Sequence, residues 1–102
     1  MTPAAQTLLA ARELLSEKSR WHRGSYAGDA HGNPVPLKSP DACRWCALGA
    51  IEVVSGGIFD GAARALYSAF NGGSFVQWHD GKATHEQVLK LFSRAIALEL
   101  GK

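Results

Sequence analysis

DACRWCALGAIEVV, residues 41–54, decides how this chain of 102 residues is read. Cys43, Cys46, Ala47, Ala50 and Val54 fall at i, i+3, i+4, i+7 and i+11, one stripe of an α-helix. Free cysteine packs as a small hydrophobe and is among the most buried residue types. Ala47, Gly49 and Ala50 would let a neighbouring helix approach closely. Upstream, SPDA offers a start: Ser39 as cap, Pro40 at the first helical position, Asp41 at the positive end of the dipole. The stretch therefore predicts a buried helix from Pro40 through Val54, stopped at Gly56-Gly57. Both cysteines would lie on its inner face, with Trp45 at the edge.

Three more helices follow from the flanking sequence. Thr2 and Pro3 open a helix over 3–18, whose Ala4, Leu8, Ala11 and Leu15 form one apolar stripe. Asp60 caps a third over 61–70, with Ala63, Leu66, Tyr67 and Phe70 inward and Asn71-Gly72 as its end. Thr84 and Gln87 make a capping box for the last, 85–100, with Val88, Leu91, Phe92, Ala95 and Leu98 on its apolar face. Residues 19–38 carry no helical period; their prolines and Gly-Asp and Gly-Asn pairs signal a long irregular loop. A short hairpin fits there, Tyr26 and Val35 flanking a turn at Asp29–Asn33. SFVQWHD, residues 74–80, reads as an extended strip. The expected fold is all-α: one domain over 1–102, a compact bundle of about four helices.

Composition narrows the function classes. The chain is 46% hydrophobic and 20% charged, which is globular, with 11 glycines concentrated between Gly24 and Gly73. A net charge of +2 is too mild for a nucleic-acid reader. Asp29 to Gly32 lacks the alternating carboxylates of a calcium loop. No stretch reaches the ~20 apolar residues of a membrane span, and the first 18 residues lack the pattern of a signal peptide. A cytoplasmic location is expected, where thiols stay reduced.

Cys43-x-x-Cys46 admits three chemistries beside packing. Zinc would need Cys43, Cys46, His79 and His85 as ligands, an unusual spacing for a structural site. A redox pair needs a preceding strand and a βαβ setting that VPLKSPDA does not provide. A hydrolase would use Cys46 as nucleophile, His79 as base and Asp80 as orienting acid. Burial as a core helix face outweighs all three, so no catalytic residue, metal or cofactor is assigned. The stronger functional signal is aromatic and cationic: Arg20, Trp21, Arg23, Trp45, Trp78 and His79 suggest a binding surface, because indole offers a large contact area and one donor. Arg20 and Arg23 with the tryptophans would also suit a small anionic ligand such as a nucleotide.

DACRWCALGAIEVV, WHDGKATHEQVLKLFSRAI and the upstream WHRGSYAGDAHGNPV together resemble an uncharacterised family of small proteins from bacteria and their phages. That family is marked by a W-C-x-L-G-A helix and a later W/F-N-D…T-x-E-x-V segment. The resemblance covers Trp21 to Ile96. It implies asparagine where this chain has His79, which weakens a Cys46–His79 pair, and a variable Cys43, which weakens zinc. The resemblance supplies a grouping and no mechanism; by analogy with other small single-domain phage or mobile-element proteins, the expected role is non-enzymatic, inhibition by occupying a host defence or regulatory protein. A Cys46-dependent hydrolase or transferase remains the enzymatic alternative.

Overall fold

The computed structural model describes residues 1–57 and 60–101. In chain order the elements are α1 (Pro3–Leu14), a 3-10 turn (Lys18–Arg20), β1 (Ala27–Gly28), β2 (Arg44–Trp45), α2 (Ala47–Ser55), α3 (Ala62–Phe70), α4 (Phe75–Gly81) and α5 (His85–Leu100). The fold is mostly helical with a two-stranded antiparallel sheet. Helices α1, α2, α3 and α5 pack on one another around Leu8, Leu15, Leu66, Val88 and Phe92, all fully enclosed.

The outer helices form for the expected reasons. Thr2 Oγ1 accepts the Ala5 N–H at 3.1 Å, and Ala4, Leu8, Ala11 and Leu15 are buried. The first helix stops at Leu14, short of Lys18, and gives way to the 3-10 turn. Thr84 and Gln87 complete the capping box of α5, each side chain bonding the other's backbone N–H at 3.1 Å. Leu98 departs from its assignment and is 51% exposed. Asp60 does serve the start of α3, its Oδ1 taking the Ala62 N–H at 3.0 Å while Oδ2 accepts the Thr7 hydroxyl of α1. The buried face of α3 is Ala62, Leu66 and Ala69; Tyr67 is 44% exposed, its ring edge-on to Phe75.

Two further expectations are overturned. Helix α2 starts at Ala47, because the residues before it are drawn into a ladder. Trp45 pairs with Ala27 and Arg44 with Gly28. The Cys43 N–H goes to Gly28 O at 3.0 Å and the Cys46 N–H to Tyr26 O at 3.2 Å. Ser39 Oγ takes the Asp41 N–H, closing a local turn in place of a helix cap. Cys43 is therefore exposed, and the inner face of α2 is Ala47, Ala50 and Ile51. Cys46 is the N-cap itself, its Sγ accepting the Gly49 N–H at 3.2 Å. The second correction is α4: Ser74 Oγ caps it through the Gln77 N–H at 3.3 Å, and Phe75 and His79, four apart, turn inward together.

Loop 19–43 is ordered by its own bonds. Asp29 Oδ1 accepts the N–H groups of His31 and Asn33, both at 2.9 Å, and Gly28 bridges Pro34. The anticipated hairpin is present as that bridge, while the ladder runs to β2.

The loop rests directly on α2 at Gly49. A Cβ on Gly49 would stand 2.1 Å from Tyr26 O and 3.0 Å from its carbonyl carbon, so only glycine lets that backbone rest on α2. Glycine to alanine ordinarily gains up to about 1 kcal/mol in a helix. Here Gly49→Ala is predicted to cost roughly 2–3 kcal/mol through overpacking against backbone, read by urea unfolding; a neutral or stabilising result would contradict the close approach.

Candidate functional site

His79 lies on the inward face of α4, 2% exposed. Its Nε2 accepts the Trp21 indole N–H at 2.9 Å. An indole nitrogen can only donate, so Nε2 carries no proton and Nδ1 must. Nδ1–H then donates to Asp80 Oδ1 at 2.9 Å, and the same oxygen accepts the Gly24 N–H at 3.2 Å. The Ala47 N–H, at the start of α2, points at Nε2 from 3.4 Å. One imidazole thus ties the long loop, α2 and α4 together. Arg23 seals the far side: its guanidinium lies 4.8 Å from the centre of the Trp21 ring and donates to Ala83 O, between α4 and α5.

The surroundings tune each group. Burial pushes the His79 pKa below the ordinary histidine value, although the bond to Asp80 works the other way. Burial opposes ionisation of Asp80, but the bonds from His79 and Gly24 and the nearby Arg23 outweigh it and hold its carboxyl below the usual range. Burial raises the Cys46 thiol, and the N–H groups of Gly49 and Leu48 only partly offset this. At neutral pH the site contains a neutral imidazole, a carboxylate and a thiol.

Beside this network opens a cleft of about 200 Å³. Tyr26, Leu48, Phe75 and Val76 give it apolar walls; Cys46, His79 and Asp80 contribute polar groups. Tyr26 and Val76 are 55% and 50% exposed. The three residues weighed as a hydrolase triad do share one cleft. Yet among the described residues Cys46 makes no hydrogen bond to His79, whose free lone pair is taken by Trp21.

The other expected residues fall elsewhere. Cys43 lines a separate groove with Arg20, Arg44 and Trp45. His85 Nε2 bonds Leu15 O at 2.6 Å, its ring 5.9 Å from Trp21. Cys43, Cys46, His79 and His85 do not converge, and among the described residues no three His, Cys, Asp or Glu side chains are placed to hold a metal. Trp21, Trp45 and Trp78 are half-buried against the core, Trp78 among Phe70 and Phe75.

Sequence reasoning missed Ser25, Tyr26, Phe75 and Val76, which no motif marks. Nearby, His22 is buried. Ser25 Oγ donates to Ala27 O and so accepts the His22 Nε2–H at 2.8 Å. The His22 ring packs where a Gly28 Cβ would stand, 2.7 Å away. Burial first, then the Arg44 charge, lowers its pKa.

Both buried histidines are held neutral, which fixes the sign of a pH dependence. The unfolded chain takes up protons near the ordinary histidine value of 6.5, the folded chain only at lower pH. Stability is then complete above that value and falls as pH drops towards the folded pKa values. Unfolding free energy should be lower at pH 5.5 than at 7.5, above the range where Asp29 and Asp80 titrate. His79→Asn should show a smaller drop. An equal drop in the variant would remove His79 from the linkage.

No curated protein and no solved structure matches the chain. A family profile does match, over residues 1–98. With nearly its whole length inside that match, the chain belongs to the family of unknown function DUF6197.

Proposed function

We propose that this chain is a non-enzymatic binding protein that seats an apolar side chain of a partner protein in the cleft between the Gly24–Tyr26 loop and α4. The observation that carries the reading is the cleft's division of labour. Its rim offers exposed Tyr26 and Val76, whereas its polar groups are already engaged: His79 with Trp21 and Asp80, Cys46 with Gly49. Large apolar side chains beside a pocket are what anchor protein interfaces. Tyr26 and Leu48 also line a neighbouring hollow of about 290 Å³ that exposed Tyr67 borders, so apolar surface continues past the cleft. In the bacterial and phage setting that the resemblance implies, the partner would belong to a host defence or regulatory complex.

A photo-crosslinking residue at position 76, in the native host, tests this. A discrete adduct is expected there and not with the same residue at exposed Leu98, which does not line the cleft. Tyr26→Asp should abolish the adduct while the fold persists. Indiscriminate crosslinking from both positions would overturn the reading.

One observation favours a second reading, a Cys46-dependent acyl transfer: Cys46, His79 and Asp80 line the same cleft. It requires Trp21 to release Nε2 and the thiol to ionise against its burial. Alkylation separates the two. With iodoacetamide at pH 7, exposed Cys43 should react at least about tenfold faster than Cys46, as an unactivated, buried thiol demands. Faster labelling of Cys46 would favour the enzyme.

A further inference from the structure

The 3-10 turn and β2 lie side by side and shape a groove of about 560 Å³ that shares no residue with the cleft. We propose that this groove binds a phosphate group, held by Arg20 and Arg44 with Ser19 and the Trp45 indole N–H.

Charge is the first argument. Arg20 and Arg44 both line the groove, no aspartate or glutamate lines it, and neither arginine has an ion pair among the described residues. Two cations in one groove repel each other, and an anion between them reverses the sign of that interaction.

Preorganisation is the second. Arg20 Nη1 donates to Leu14 O at 3.3 Å, and Arg44 Nη2 donates to Ala30 O at 2.8 Å. Each guanidinium is anchored through one nitrogen, leaving several of its five N–H groups for a ligand. A planar fork with fixed direction matches the oxygens of a phosphate better than a mobile ammonium would.

The third argument is an unmet need. Arg44 Nε and Trp45 Nε1 are buried donors with no acceptor. Native proteins pair nearly all such groups, and both residues line the groove. Two guanidiniums, a serine hydroxyl and an indole N–H outnumber what one carboxylate accepts comfortably. They suit a phosphate group. The large volume leaves room for a phosphate alone or for the phosphate of a monoester. Trp21 and Arg23, the other cation and indole expected to bind anions, are committed to His79 and Ala83.

The test is an NMR titration of the full chain with inorganic phosphate, against chloride at matched ionic strength. Arginine Nε–H and tryptophan Nε1–H signals are followed, Trp45 being assigned from Trp45→Phe. Phosphate should shift the Arg44 Nε–H and Trp45 Nε1–H signals saturably. Arg20→Gln and Arg44→Gln should each weaken binding about tenfold or more, about the value of one charge-assisted pair. Should one variant fail to fold, the other decides, together with slower alkylation of Cys43 under phosphate than under chloride. Adenosine monophosphate binding as tightly as phosphate assigns the groove to the phosphate group alone. Binding at least tenfold tighter assigns it to a phosphate monoester. Equal shifts with chloride, or variants within twofold of wild type, would overturn the proposal.

Discussion

The hydrogen bond from the Trp21 indole to His79 Nε2 is the constraint on which the site depends. Because indole cannot accept, the bond dictates the imidazole tautomer, and the tautomer dictates that Nδ1–H meets Asp80. Asp80 in turn takes the Gly24 N–H and fixes where the loop leaves Trp21. Breaking the first link would leave the Trp21 indole donor without its acceptor, at about 1–3 kcal/mol. It would also release the residues that wall the cleft. Arg23 over the Trp21 ring and Cys46 capping α2 are consequences of where that loop lies.

The same loop builds the cleft and the groove. Its path over α2 is possible because Gly49 has no side chain, and its return through β2 places Arg44 and Trp45 beside the 3-10 turn. One edge of the ladder faces Tyr26 and the start of α2; beyond it, Arg20 and Arg44 share a groove. Small residues in the alanine-rich helices let α2 and α5 pack closely on α1, so the loop lies over a well-packed support. This suits a binding site, whose groups gain from being ordered before the ligand arrives.

How much of this the sequence disclosed follows from the range of the forces involved. Helices α1 and α5 were legible because their caps and stripes are local: Thr2 with Ala5, Thr84 with Gln87, apolar residues three and four apart. The stop at Gly56 was equally local, a left-handed residue closing α2. Residues 39–46 were misread as helix because their periodic pattern competes with ladder bonds to Tyr26 and Gly28, about fifteen to twenty residues away, that no local pattern announces. Residues 74–80 were misread as extended because a helix of about two turns carries little periodicity; Ser74 as cap was its only signal. Cys46, His79 and Asp80 were named together from chemistry alone. Their shared cleft, and the Trp21 bond that occupies His79, needed the fold.

The profile match gives this chain a family and no activity. Its chemistry therefore rests on which atoms of His79 are free. The most direct measurement is a long-range ¹H–¹⁵N spectrum of the imidazole at neutral pH, together with the exchange rate of the Trp21 indole proton. The account predicts an Nδ1–H tautomer with unprotonated Nε2 and an indole proton protected from solvent. An Nε2–H tautomer, or an indole proton exchanging as fast as in a free peptide, would contradict it.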